Sequence, residues 1–152
     1  MDGAQQTPRL TQALDDKAQA AFVHFFTTLP TDGTVRIFQR TGTRTYYSSH
    51  GADVELFSNW YLRFGVEVVN IGALQKLPSA AFSQANYEEM VTDLLVHRNR
   101  RVEVWAQDSD KKAAGWRCVK RGSPGNMQEF EGVVVTDGLR DAPVVVAVTC
   151  AE

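Results

Sequence analysis

The stretch TVRIFQRTGTRTYYS, residues 34–48, decides the fold because two strand-like runs flank one short turn. In residues 34–40, branched apolar side chains alternate with other residue types, and a period of two is typical of a β-strand. The TGT segment at residues 41–43 has turn composition, and residues 44–48 return as a second strand. The stretch therefore predicts a β-hairpin.

Helical and strand patterns alternate on both sides of this hairpin. Apolar residues recur at helical spacing in three segments, and Asn86 with Glu89 has the spacing of a helix N-cap and its partner. The predicted helices are residues 13–29, 51–64 and 86–98. The predicted further strands are residues 66–72, 77–83, 100–107, 116–121 and 142–150, and residues 127–134 give a short helical piece. This interleaving predicts an α/β fold, with a mixed β-sheet flanked by helices.

The composition is that of one globular domain. The chain has 152 residues, of which 43% are hydrophobic and 22% charged. Two cysteines are too few for a disulfide framework, and three histidines do not cluster with them, so neither a metal site nor a cofactor is predicted. The polar N-terminus has no apolar targeting segment, and no apolar run reaches membrane-spanning length. We expect a cytoplasmic or nuclear protein without membrane contact.

Positive charge is concentrated in one segment. The net charge is −2, yet residues 98–121 contain eight Lys or Arg against three Asp or Glu. This segment is either a solvated hairpin face or a phosphate-facing patch. Arg98 and Arg100 are the candidate phosphate contacts, whereas Lys111 and Lys112 are interpreted as solubility residues.

The sequence lacks the motifs of common enzymes. It contains no G-x-S-x-G, no H-E-x-x-H and no Walker A motif. Glu88 and Glu89 are adjacent, but neighbouring helical positions point about 100° apart, so they do not form a carboxylate dyad. We therefore predict no catalytic residues in this chain.

Tyr46 and Tyr47 are adjacent on the returning strand. Successive strand residues face opposite sides of a sheet, so one ring is expected in the core and the other outside. The outward ring either covers a neighbouring helix or is presented to DNA, with Arg44 beside a phosphate. The pattern alone leaves both possibilities open, and it leaves open which ring faces out.

Several motifs occur together in the order of a known family. The segments FVHFFTTLP, VRIFQR, TYYSSHG, LLVHRNRRVEVW and SPGNMQEFE follow one another between residues 22 and 131. This succession resembles the N-terminal, mismatch-binding domain of the eukaryotic MutS homologue two family, the shared subunits of mismatch-repair heterodimers. The resemblance implies a nuclear protein that binds DNA and has another MutS homologue as its partner, chiefly through domains outside this chain. The ATPase of that family is not among the matched segments.

The resemblance also suggests a division of the chain. Residues 1–12 are polar and without period, and we expect a flexible N-terminus there. Residues 13–141 would be the mismatch-binding domain. Residues 142–152 would begin the family's connector domain, because the apolar run PVVVAVT looks like that domain's first strand.

One departure from the family pattern concerns the base contact. MutS subunits that read the lesion carry a Phe-x-Glu motif at this hairpin, and the matching positions here are Tyr46, Tyr47 and Ser48. Since Ser48 is short and neutral, the resemblance implies a subunit that supports the duplex backbone at mispairs or insertion loops without reading the base. Arg44 and the two tyrosines are the positions that the motif match favours for DNA contact. The alternative is a protein-interaction module that docks through residues 144–148 or through a surface at Trp60 and Tyr61.

Overall fold

A computed structural model describes residues 7–107 and 115–134. Six β-strands form one sheet in the order β3-β4-β2-β1-β5-β6. The strands are β1 (Val35–Thr41), β2 (Thr45–His50), β3 (Val68–Ile71), β4 (Leu77–Phe82), β5 (Val102–Gln107) and β6 (Trp116–Gly122). β1 and β5 are parallel and every other pair is antiparallel, so the sheet is mixed as the sequence predicts.

Short helices connect the strands. They are α1 (Leu10–Ala13), α2 (Asp16–Thr27), α3 (Asp53–Trp60), α4 (Gln84–Thr92) and α5 (Glu131–Val134). A 3₁₀ turn (Leu62–Phe64) follows α3, a π turn (Asp93–His97) extends α4, and a second 3₁₀ turn (Gln128–Phe130) precedes α5. The helix predicted over residues 13–29 is observed as α2, which begins three residues later and ends two residues earlier, and the helix predicted over residues 51–64 is divided into α3 and the 3₁₀ turn.

Both faces of the sheet are covered. On one face, Phe22 of α2 packs with Phe38 of β1 in a cluster that also includes Leu10 and Tyr46. On the other face, α3 and α4 enclose a larger cluster of Val35, Ile37, Tyr47, Phe57, Phe82, Tyr87, Met90, Val91, Leu94 and Leu95, among others. The central strands β1 and β2 are therefore buried on both sides, so both Tyr46 and Tyr47 of β2 are buried.

Local signals place the helix ends. Ser83 caps α4, because its Oγ accepts a hydrogen bond from the backbone N–H of Asn86 at 3.2 Å. The prediction that Asn86 is the N-cap is wrong by one helical turn, since Ser83 is the residue with extended backbone. The left-handed φ of +66° at Gly65 ends the turn after α3, directly after the predicted helix end at residue 64. Gly72, with φ +93°, approaches the backbone of Gln75 so closely that no Cβ would fit.

Leu10 has a structural role that its polar neighbours do not indicate. It begins α1, and its side chain is fully buried in the α2-side cluster. Residues 1–6 of the N-terminus predicted to be flexible lie outside the described residues. A single apolar residue in a polar segment carries no period, so pattern analysis missed it. The strand predicted over residues 142–150 lies outside the described residues.

Candidate functional site

The predicted site residues lie at opposite ends of the sheet. Arg44 precedes Thr45, which pairs with Thr41 at the end of β1. Arg100 lies two residues before Val102, which pairs with Val35 at the beginning of β1. The length of β1 therefore separates the two arginines by about 20 Å. We call the first region the hairpin end and the second the Arg100 end.

The hairpin end carries exposed positive charge. The turn from Thr41 to Thr45 is exposed, and Arg44 lies in it. Arg117 is exposed on β6 and pairs in register with Ala106, close to the same end. Neither arginine forms an ion pair with another described residue. Sequence analysis did not single out Arg117, although it lies in the basic segment.

Tyr46 is buried on the α2 face of the sheet. It pairs directly with Arg40 across the hairpin, and only 5% of the residue is exposed. Burial raises the pKa of its hydroxyl, while the charge of Arg40 acts in the opposite direction. An added side chain at Gly42 would lie 3.3 Å from the Tyr46 ring, so the turn packs against that ring.

Tyr47 is buried on the opposite face. Its ring stacks on Tyr87 of α4 with centroids 3.8 Å apart and planes 4° from parallel, and 6% of Tyr47 is exposed. Burial, and next to it the charge of Glu88, raises the pKa of the Tyr47 hydroxyl. The expectation that one tyrosine faces outward is therefore wrong. Alternation does place the rings on opposite faces, but helices cover both faces.

Ser48 belongs to a buried polar network. Nε of Arg40 donates to Ser48 Oγ at 2.7 Å, and Ser48 Oγ lies 2.8 Å from His50 Nε2. His50 Nδ1 lies 2.7 Å from Ser79 Oγ, which donates to the carbonyl of Leu77 at 3.1 Å. Ser48, His50 and Ser79 are all fully buried. The hydroxyl at the family's glutamate position is therefore occupied by internal hydrogen bonds.

The donors in this network fix the state of His50. The hydroxyl of Ser79 donates its proton to the Leu77 carbonyl, so towards His50 it can only accept, and Nδ1 of His50 carries the hydrogen. Nε2 of His50 is therefore unprotonated and acts as an acceptor. Burial, and then the charge of Arg40, lowers the pKa of His50 well below its usual value, so the ring is neutral. The alternation of Tyr46, Ser48 and His50 along one face is the sequence signal that could have indicated this network.

At the Arg100 end, internal partners occupy Arg98. Its Nε donates to Asp93 Oδ2 at 2.7 Å, and its guanidinium lies 4.0 Å from the centroid of the Trp60 ring. Tyr61 also donates to Asp93, at 2.8 Å. Burial alone would raise the pKa of Asp93, but the bonds from Arg98 and Tyr61 hold it below its usual value. Tyr61 is 1% exposed, so the predicted Trp60/Tyr61 docking surface is wrong.

The other arginines of this end bind the loop between α2 and β1. Arg100 donates to the carbonyl of Gly33 at 3.2 Å, and Arg101 donates to that of Asp32 at 2.8 Å. Arg36 donates to the carbonyl of Pro30 at 2.8 Å. Much of the basic segment is therefore committed to structure, although Arg100 and Arg101 retain further donors that could meet a phosphate.

Asp53 is an acid at the Arg100 end whose pKa is raised. Its Oδ2 accepts from the backbone N–H of Arg36 at 3.0 Å. Burial raises the pKa of Asp53 to about 6, against the lowering effects of that hydrogen bond and of Arg36 and Arg100. An isolated acid of this kind beside paired arginines is not a catalytic constellation.

Several predictions fall outside this geometry. Lys111, Lys112 and residues 144–148 lie outside the described residues. Within the described ranges, no group of three or more His, Cys, Asp or Glu could hold a metal ion. None of the helices described here combines the length and the hydropathy that a membrane crossing requires.

Comparison with known proteins identifies a family and several relatives that this chain resembles. Residues 20–131 match the family MutS domain I. The chain is 34% identical over 139 residues to the DNA mismatch repair protein MSH2 of Arabidopsis thaliana, and the matched segment covers 89% of this chain and 14% of that protein. It is 32% identical over 143 residues to the DNA mismatch repair protein spellchecker 1 of Drosophila melanogaster, with 88% and 14% covered. A third relative, MSH2 of Zea mays, is 29% identical over 144 residues, with 91% and 15% covered. The chain thus spans about a seventh of the length of these relatives.

Proposed function

The chain belongs to the MutS domain I family, and on this premise we propose that it is a DNA-binding domain of a DNA mismatch-repair protein. The observation that carries the proposal is the family match over residues 20–131. The relatives named as mismatch-repair proteins support it, since their similarity extends over most of this chain. The domain would act on duplexes that contain mispairs or insertion loops.

The hairpin end is the proposed contact surface. Arg44 is exposed in the turn and Arg117 is exposed nearby, so both guanidiniums are available to backbone phosphates. Tyr46 and Tyr47 would contribute indirectly, because their buried rings hold the turn on the two faces of the sheet. Arg100 is a secondary phosphate contact in this proposal, and Arg98 would hold it in place through the Trp60 ring, which lies near both guanidiniums.

Base reading is not part of the proposed role. Reading a base edge requires a polar group that reaches the duplex, and Ser48 Oγ is fully buried between Arg40 and His50. An aromatic wedge requires an accessible ring, whereas Tyr46 and Tyr47 are both buried. The domain would therefore support the duplex while another subunit reads the lesion.

The remaining assignments follow from the same premise. The partner would be another MutS homologue, held mainly by domains other than this one, and the protein would act in the nucleus. Residues 13–141 would form the mismatch-binding domain and residues 142–152 would begin a connector domain. The ATP-binding part of the family would lie outside the matched residues, so the domain itself would not be an enzyme.

Fluorescence anisotropy tests the proposed function. The chain is titrated with a fully paired duplex, a mispaired duplex and a duplex with a short insertion loop, each at low and moderate salt. We expect salt-sensitive binding that favours the looped duplex, because phosphate contacts release counterions and a loop lowers the cost of deforming DNA. Equal, salt-insensitive signals for all three duplexes would contradict a DNA-supporting role for this domain.

A further inference from the structure

Two arginines of β1 are equally buried but differently compensated. Arg36 and Arg40 are each 7% exposed and face the same side of the sheet. Arg36 forms ion pairs with Glu103 at 3.0 Å and with Asp32 at 3.4 Å, and it also donates to a carbonyl. Arg40 forms no ion pair with any described residue. On β1, the charge of Arg36 is therefore neutralised by ion pairs with described residues, and the charge of Arg40 is not.

Among the described residues, the groups that contact Arg40 are neutral. Its Nε donates to Ser48, and its Nη2 lies 3.4 Å from His50 Nε2, which acts as an acceptor. The guanidinium also lies 4.6 Å from the centroid of the Phe22 ring and 5.1 Å from that of the Trp116 ring. A guanidinium has five N–H donors, so within residues 7–107 and 115–134 these contacts leave the edge that contains Nη1 without an acceptor.

The open edge of Arg40 still reaches solvent. Among the described residues, the one fully enclosed side-chain N or O atom without a hydrogen-bond partner is Ser49 Oγ. Nη1 of Arg40 also has no hydrogen-bond partner among the described residues, but it is not fully enclosed, so it retains some exposure to solvent. Buried charges are otherwise paired or bound to a ligand, since removing an ion from water costs several kcal/mol. Burial accordingly lowers the pKa of Arg40 to about 10.

Arg40 lies directly beneath the proposed contact surface. It forms the row with Tyr46, and the next row, Thr41 with Thr45, opens into the turn that carries Arg44. The Arg40 side chain runs from this row away from the turn, because its guanidinium lies beside Ser48, whose row partner is Phe38, and beside His50. A second, recessed guanidinium therefore lies several rows below the turn. The two cations differ in that Arg44 is freely hydrated and Arg40 is already desolvated.

We infer that the open edge of Arg40 binds an oxygen of a phosphate group. The ligand then supplies the negative charge that Arg40 lacks among the described residues. This inference rests on the proposed function, in which the ligand is a phosphate of the DNA backbone at the hairpin end. A bond to this guanidinium is charge-assisted, and the cation is already desolvated before the phosphate arrives, which makes Arg40 a stronger phosphate contact than an exposed arginine. It positions the backbone and carries no sequence information.

The first test measures phosphate binding without DNA. The thermal midpoint of the chain is recorded in sodium phosphate and in sodium chloride of equal ionic strength, for the wild type and for Arg40→Met. Phosphate raises the midpoint of any protein through exclusion from its surface, so the difference between the two proteins is the measure. We expect a phosphate-specific rise in the wild type that Arg40→Met lacks.

Stability in chloride distinguishes a ligand role from a structural one. Methionine keeps the apolar contacts with Phe22 and Trp116 and removes an uncompensated charge, so Arg40→Met is expected to unfold within a few degrees of the wild type. The matched control Arg36→Met removes the buried ion pair of Glu103, which keeps only Trp105 and the exposed Arg121 as partners among the described residues. This variant should unfold at a clearly lower temperature. Ser48→Asp is the second variant, because it places a carboxylate beside Arg40; it should abolish the phosphate-specific rise while the guanidinium is retained.

The DNA arm separates this inference from the proposed function. Arg40→Met should weaken duplex binding on the order of tenfold and reduce the slope of log affinity against log salt by about 0.9. A phosphate-specific rise without any DNA binding would refute the proposed function and leave the Arg40 site standing. DNA binding that Arg40→Met does not change, an equal phosphate effect in both proteins, or failure of Arg40→Met to fold would each overturn the Arg40 site.

Discussion

Replacing Tyr47 by alanine separates a core role from a DNA-contact role. The Tyr47 ring is buried, lies 3.8 Å from the Tyr87 ring in a parallel stack, and also packs near Phe82 at 6.5 Å. Truncating a buried aromatic side chain costs about 3–5 kcal/mol. In a chain of 152 residues, each kcal/mol shifts the thermal midpoint by about 2–4 °C, so we expect a loss of about 6–20 °C.

The assay pairs thermal unfolding by circular dichroism with DNA anisotropy at a temperature at which every variant is folded. Tyr47→Phe is the matched control, because it keeps the stacked ring and removes only the hydroxyl; its midpoint should stay close to that of the wild type. The affinity of folded Tyr47→Ala for DNA should change little. An unchanged midpoint together with lost DNA binding would refute the core role and restore Tyr47 as a direct contact.

Three further predictions concern a pair of buried serines, one acid and a pair of glycines. Ser48→Ala should cost about 1–3 kcal/mol by orphaning a buried donor, whereas Ser49→Ala, whose Oγ has no partner, should be neutral or stabilising in urea titrations. The pKa of Asp53 is raised to about 6 from an ordinary 3.8, so the stabilisation from its neutral form is present below about pH 4 and is lost as the pH rises through about 6. Asp53→Asn should therefore stabilise the fold at neutral pH and not at acidic pH, and a constant difference across a pH series of unfolding curves would contradict this. Gly72→Ala should destabilise far more than Gly65→Ala in the same assay, because both have positive φ but only Gly72 would clash with backbone.

Local sequence patterns predicted the described strands correctly, but they did not predict which side chains of the strands are buried. Residues 34–48 alternate over two short runs around a turn, and β1 and β2 formed as predicted. Alternation also correctly assigned Tyr46 and Tyr47 to opposite faces. It could not show that helices far away in sequence cover both faces, because burial depends on packing between elements and not on the strand itself.

The candidate site was predictable to a smaller degree. Arg44 could be named from the motif match, and the structure leaves the residue exposed. The partners of Arg98 and Arg100 could not be named, since Asp93 and the carbonyl of Gly33 come close only through the parallel pairing of β1 with β5 and the turn after α4. The burial of Arg40 without an ion pair to a described residue could not be predicted either, because the sequence alone does not show whether an arginine is buried or which groups surround it.

The location of the DNA contact is best tested by comparing Arg44→Ala with Arg100→Ala in anisotropy titrations against the looped duplex over a range of salt concentrations. The two residues lie at opposite ends of β1, and both side chains are polar and near the surface, so neither substitution should unfold the protein. We predict that Arg44→Ala weakens binding and lowers the salt slope by about 0.9, while Arg100→Ala has the smaller effect on both. A loss confined to Arg100→Ala, with Arg44→Ala indistinguishable from the wild type, would contradict contact through the hairpin end.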